Sequence, residues 1–235
     1  MLIRDKKHFI IGFIMLVVFV MLLIVMSTPV FKGKNAFQAA DNLFNSIAKA
    51  SSYKIPQLEK QAHGFKGTAV NWAMDRGSIF LPDLTKRLLV TAGAQVSLDE
   101  GNFRVKGDLG KITATALKDA EIMYFDREKD ISIKYSAPGK EVLFSWWRVL
   151  KQAKEILKRQ KKVKEASFVD DVVKKGIEVG YNFYGIASEK ASKKAGALAF
   201  SLIFYVFYTV WWGFSIFFLF EGFGLVMEAG KKEEI

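Results

Sequence analysis

Along an otherwise apolar stretch, Ser201, Tyr205, Tyr208, Trp212 and Ser215 recur at steps of 4, 3, 4 and 3. That rhythm places five hydrogen-bonding side chains on one stripe of a packed helix, and Leu219 and Gly222 extend it. In hydrocarbon such groups serve recognition rather than turnover. A hydroxyl or indole N–H left unpaired there is costly, so each requires a partner. If the helix begins near Gly196, Tyr208 and Trp212 lie roughly 18–24 Å along it, close to mid-bilayer and away from the interfacial belts where Tyr and Trp ordinarily collect. The first apolar run offers mostly Val, Leu, Ile, Met and Phe side chains, with few acceptors. The expectation is that Ser201, Tyr205, Tyr208, Trp212, Ser215 and Gly222 face a helix of another chain or a second copy of this one. Lipid exposure with incidental aromatics, or a slot for a quinone or lipid tail, are the alternatives. Glu221, about 37 Å along the same helix, reads as a headgroup-level carboxylate. Its alternative is an intramembrane acid that handles protons or pairs with a partner.

Patterns that would support a reaction are missing. The sequence contains no GxGxxG, GxxxxGK, GxSxG or HExxH motif. It has no Cys, which excludes disulfides, thiolate metal sites and cysteine nucleophiles. His8 borders the first apolar run, and His63, in "EKQAHGFKG", reads as a loop or helix-end residue. The neighbouring acids Asp170 and Asp171, like Glu233 and Glu234, diverge on a helix or tail and read as solvated surface. The chain is therefore expected to be non-catalytic, with no cofactor and no metal.

Two apolar runs must position the stripe. Phe9 to Met26 is unbroken, and a second run starts near Gly196 and continues past Phe220. A helix needs about 20 apolar residues to cross a ~30 Å hydrocarbon core, so both qualify. The first exceeds a signal-peptide core and is followed by "MSTPVFKG", without a small-x-small cleavage site, so it reads as an uncleaved signal anchor. Arg4, Lys6, Lys7, Lys231 and Lys232 lie outside the two runs; Lys32, Lys34, Lys190, Lys193 and Lys194 lie between them. That balance barely discriminates, and orientation then follows the first span and the translocation of long loops. The expected order is a cytoplasmic N-terminus at 1–8, a transmembrane helix at 9–27, an extracytoplasmic domain at 28–195 (periplasmic in a bacterium), a second span at 196–225 and a cytoplasmic tail at 226–235.

The formal charge of +11 resides in the middle, since the two termini contribute charges that cancel. A basic domain tethered beside a bilayer can lie on anionic headgroups, at ~1 kcal/mol per well-placed cation. It could equally dock an acidic protein; nucleic acid is not expected.

Within the middle, "NAFQAADNLFNSIAKASS" has helical apolar spacing, with Asn35 as N-cap, and its plain role is packing on the rest of the domain. Pro56 permits a short second helix, "IPQLEKQAHGF". From Gly64 to Tyr135, "KGTAVNWAM", "RLLVTAGAQVSL", "NFRVKGDL", "KITATAL", "AEIMYFD" and "ISIKYS" read as four to six antiparallel strands, with "DEGN" as a hairpin turn. "ITATALKDAEIMYF" has a helical alternative. From Glu141 a helix returns, with Trp146 and Trp147 on its apolar face and Arg148, Lys151, Lys154, Lys158 and Arg159 opposite. It either covers the sheet or lies on a membrane surface, with those seven residues meeting anionic phospholipid. Another helix is expected to start at Ser167, capped by "SFVD", to expose Gly176 and Gly180 to a close neighbour, and to continue into the second span as one rod.

The fold class expected is α+β and membrane-anchored, with N- and C-terminal transmembrane helices flanking an extracytoplasmic domain built from an antiparallel sheet and amphipathic helices. The function expected is that of a structural or accessory subunit of a membrane complex. The alternative is a coupling protein in envelope lipid transport.

Overall fold

In the computed structural model the described residues are 3–75, 77, 79–99 and 102–225. The tail expected at 226–235 and the tip of the "DEGN" turn lie outside them. In chain order the elements are α1 (Lys6–Ser27), α2 (Ala36–Ser51), α3 (Ile55–Gly64), β1 (Ala69–Asp75), α4 (Pro82–Thr91), β2 (Gln95–Asp99), β3 (Asn102–Asp108), α5 (Leu109–Tyr124), α6 (Glu128–Tyr135), α7 (Gly139–Arg159), α8 (Val163–Val172), a π-helical turn (Val173–Ile177), α9 (Glu178–Asn182), a 3-10 turn (Ala191–Lys194) and α10 (Ala195–Phe223). The protein is mostly helical, with a small three-stranded antiparallel sheet and two apolar helices at its ends. It divides into two compact units, one formed by 1–47 with 189–235 and the other by 48–188.

In the first unit, Asp5 starts α1 by accepting the backbone N–H groups of Lys7 (2.9 Å) and His8 (3.2 Å), two of the donors that a helix start leaves unpaired. The segments Lys6–Ser27 and Ala191–Gly222 are each long and apolar enough to cross a membrane. Asn35 and Gln38 cap α2 reciprocally: the Asn35 side-chain Oδ1 accepts the Gln38 backbone N–H at 2.8 Å, and the Gln38 side-chain Oε1 accepts the Asn35 backbone N–H at 3.1 Å.

In the second unit the sheet order is β1-β3-β2, with Val105 of the central strand facing Trp72 on one side and Val96 on the other. Val70, Trp72, Met74, Phe103 and Val105 form its buried face, while Asn71, Arg104, Lys106 and Ser97 point to solvent. Helices cover only the apolar face: α7 packs on β1, α4 on β2, and α5 follows β3. The outer edge of β1 is guarded rather than open. Gln160 donates to the Asn71 carbonyl (3.0 Å) and Lys162 to that of Ala69 (3.3 Å), which blocks strand-to-strand association there.

Three of the six expected strand segments are helical. "KITATAL" and "AEIMYFD" form α5, "ISIKYS" forms α6, and "RLLV" is the end of α4, leaving β2 as the only strand in its run. The reason is spacing. Leu109, Ile112, Thr113, Ala116, Leu117, Ala120, Met123 and Tyr124 are all buried, at helical intervals, and Asp108 caps the helix they line. Ser167 does not cap a helix. It lies inside α8, which Lys162 precedes. Nor does α9 run on into α10: the chain turns at Gly185 (φ +79°), a conformation that favours glycine, before α10 begins. The close approach expected at Gly180 is present, since a Cβ there would sit 2.5 Å from the Ala120 carbonyl oxygen.

Candidate docking interface

The apolar helices α1 and α10 pack antiparallel. Low numbers of α1 meet high numbers of α10: Phe9 against Gly222, Gly12 against Leu219, and Phe19 against Tyr208 and Trp212. Two glycines permit the approach. A Cβ on Gly222 would fall 2.6 Å from Phe9 Cα, and one on Gly12 would fall 2.7 Å from Leu219 N. Higher up, Phe19 is 3% exposed, with its ring 4.5 Å from that of Tyr208 and 4.9 Å from that of Trp212.

Partial burial traces the seam. On α10 it runs through Ser201, Phe204, Tyr208, Trp211, Ser215, Phe218 and Gly222. This is the expected stripe displaced by one residue at alternate steps. Tyr208, Ser215 and Gly222 face the chain's own α1 side, with Ser215 and Gly222 fully buried. Tyr205 and Trp212 sit on the flank and remain 66% and 43% exposed. Ser201 and Ser215 satisfy their hydroxyls locally, donating to the carbonyls of Ala197 (2.9 Å) and Trp211 (2.8 Å) four residues back.

Trp211, absent from the expected stripe, supplies the cross-helix hydrogen bond. Its indole N–H donates to the Met15 backbone carbonyl at 3.2 Å. A helix carbonyl has a second lone pair beyond the one its own ladder uses. The acceptor that α1 side chains lack is therefore provided by its backbone, which residue types do not reveal.

At the far end of the pair, the backbone N–H groups of Arg4 and Asp5 both donate to the Gly222 carbonyl (2.9 and 3.0 Å). His8 Nδ1 lies 2.6 Å from an Asp5 carboxylate oxygen, its Nε2 lies 3.6 Å from Glu221, and its ring stacks on Phe218. Glu221 thus meets a residue of its own chain.

On α7 the seven residues grouped as an anionic-contact face separate. Trp146 is wholly buried. Its indole N–H donates to Asp119 at 2.9 Å, where Tyr135 (2.7 Å) and Lys134 (2.8 Å) also converge. It lies in the core with the rest of the apolar face of α7 rather than on a surface. Burial, then the Asp119 charge, pushes the Tyr135 phenol well above its ordinary range, so it remains a donor. Trp147 is half-buried; it donates to Glu178 (2.9 Å) and carries the Lys151 ammonium 4.1 Å above its ring. Lys154 is engaged by Asp170 (3.1 Å) and Glu155 (3.2 Å), and the Asp170 hydrogen bond raises its pKa. Lys158 reaches Glu155 at 3.4 Å. Arg148 is half-buried, and Arg159 is exposed. Lys151, Gln152 and Arg159 line a shallow cleft of about 400 Å³ against Ala73 and Met74 of β1.

His63 lies in the last turn of α3. Among the described residues, no three His, Asp or Glu side chains are grouped so as to hold a metal ion. Comparison of the chain with family models, with curated proteins and with solved structures finds no match.

Proposed function

We propose that the protein is a two-span membrane protein acting as a non-catalytic accessory subunit, with the exposed flank of α10 as its docking surface for another polypeptide. The observation that carries this reading is the position of Tyr205 and Trp212. The helix is about 43 Å long at 1.5 Å per residue, and both residues lie within ~6 Å of its midpoint. They are seven residues apart, on one face, and exposed. A phenol and an indole at mid-bilayer depth gain most from a neighbouring chain that accepts their hydrogen bonds. The exposed face of α1 offers a contrast, with Ile10, Ile14, Val18, Met21 and Val25 suited to acyl chains.

In this reading α1 and α10 anchor the chain, the termini are cytoplasmic and the basic unit 48–188 is extracytoplasmic. The lipid-carrier alternative asks for an apolar cavity inside the sheet. That face is instead filled by its own core, with Trp72 and Val105 at 2% and 0% exposure.

The test is purification of the full chain in mild detergent. Partners, or a second copy, should accompany it at fixed stoichiometry. Tyr205→Leu with Trp212→Leu should release them while the spectroscopic signature of the helical fold is retained. Unchanged stoichiometry in that variant would refute the docking surface.

A further inference from the structure

α2 has an apolar stripe that the fold leaves open. Phe37 and Phe44, seven residues apart on one face, are 48% and 41% exposed. Gln38 and Asn42 lie more than a quarter turn round the helix from the two rings, and Asp41, exposed, stands between the rings on their own side. Two connections hold this helix at one end of the α1–α10 pair. Only residues 28–35 separate it from α1, and four of them fold back as a tight turn. There Phe31 and Lys34 exchange backbone hydrogen bonds (2.9 and 3.0 Å), with Lys32 and Gly33 at positive φ. Eight extended residues could reach about 28 Å, and the turn shortens that. The second half of α2 is tied to the approach to α10, since the Glu189 N–H donates to the Ser46 carbonyl at 3.1 Å. Because α1 and α10 are antiparallel, the end of α1 and the start of α10 lie at the same end of the pair. Both tethers therefore lead to one level.

That level is marked by its chemistry. Val30 and Phe31 are exposed apolar side chains in the turn. Five exposed lysines lie in the segments that follow α1 and precede α10: Lys32, Lys34, Lys190, Lys193 and Lys194. Exposed apolar side chains and lysines at one end of the pair suit the boundary between acyl chains and anionic headgroups.

We infer that α2 is an interfacial helix. It lies in the headgroup layer of the bilayer crossed by α1 and α10, with Phe37 and Phe44 toward the acyl chains and the flanking lysines on anionic headgroups. The inference rests on α1 and α10 being membrane spans, and the test separates the two.

The chain contains no cysteine, so single nitroxide labels can be placed at Phe37→Cys, Phe44→Cys, Asn42→Cys and Val18→Cys in the full-length protein. The variants are reconstituted in vesicles of phosphatidylethanolamine with phosphatidylglycerol, and collision rates with oxygen and with a water-soluble nickel chelate are compared. Labels at 37 and 44 should favour oxygen, the label at 42 the chelate, and the label at 18 should be deepest. A deep label at 18 with chelate-accessible labels at 37 and 44 overturns the interfacial helix and leaves the spans standing. Protection of 37 and 44 from both reagents also overturns it, in favour of a protein neighbour. A chelate-accessible label at 18 overturns the spans and the inference with them. In phosphatidylcholine alone the immersion of 37 and 44 should lessen, and Lys32→Gln with Lys34→Gln should reduce the difference between the two lipids. Equal immersion in both lipids refutes the role given to the lysines.

Discussion

Gly222 lies so close to Phe9 that the α10 backbone touches the α1 backbone with no side chain between them. Both N–H groups that precede α1, those of Arg4 and Asp5, donate to the Gly222 carbonyl, so packing and hydrogen bonding lock the same point. Gly222→Leu should therefore separate this end of the pair, at a cost typical of overpacking, about 1–3 kcal/mol. The measurement is the yield of a short thiol cross-linker between single cysteines at His8 and Phe218, whose rings are 5.8 Å apart in the native pair at this same end. A fall in yield is expected for Gly222→Leu. No fall is expected for Gly213→Leu, since a Cβ at Gly213 would meet open space.

Trp211 and Trp212 should behave differently despite being adjacent. Trp211→Phe removes the hydrogen bond to the Met15 carbonyl. Cross-helix hydrogen bonds in membranes average roughly 0.6 kcal/mol, so the same cross-linking yield should fall modestly. Trp212→Phe keeps an aromatic ring beside Phe19 and should leave the yield unchanged, while weakening retention of any docked chain.

Why the sequence shows some of this and hides the rest follows from particular residues. A strong period is visible: the two apolar runs, the α2 stripe and the Asn35 cap can all be read from residue types and intervals. The heptad seam of α10 is harder to place, because nearly every residue from Tyr205 to Phe220 is aromatic or apolar. Polarity selected Tyr205 and Trp212 for the stripe, whereas packing selected Phe204 and Trp211. The strand assignments over α5 and α6 failed for another reason. Thr, Ile and Tyr favour strands, but their burial recurs at three and four residues, and tertiary packing overrides the propensity. The Asp119 cluster could not be foreseen, since its donors lie 15, 16 and 27 residues away.

Asp119 anchors a buried polar cluster in unit 48–188. Its carboxylate has no exposure and receives the Lys134 ammonium, the Tyr135 hydroxyl and the Trp146 indole. Asp119→Ala strands all three donors, and loss of one partner in a buried charged network costs about 3–5 kcal/mol. Trp146→Phe removes one donor and leaves the carboxylate two, at a cost of about 1.5–3 kcal/mol for a hydrogen bond to a charged group. Urea unfolding of the full chain, followed by tryptophan fluorescence, should give midpoints in the order wild type, Trp146→Phe, Asp119→Ala.

Asp108 carries a pH dependence whose sign is fixed by its surroundings. Burial alone would raise its pKa, but backbone N–H groups outweigh that and hold it below the ordinary value of 3.8. Gly67 N–H donates to one carboxylate oxygen (2.6 Å) and Lys111 N–H to the other (3.0 Å), so the ionised form both caps α5 and fastens the segment before β1. A carboxylate with a lowered folded-state pKa stabilises the fold above its unfolded value. That stabilisation is lost as pH falls through the folded one. Wild type should therefore lose urea resistance on acidification from about pH 5 toward about pH 2. Asp108→Asn, which cannot titrate, should start lower and fall less over the same window, so that the two curves converge in acid. Asp108→Ala also removes the cap itself, typically worth ~1 kcal/mol, and should remain below wild type at neutral pH by about that amount. Parallel wild-type and Asp108→Asn curves across the window would show that the carboxylate charge contributes nothing and that only the cap's shape matters.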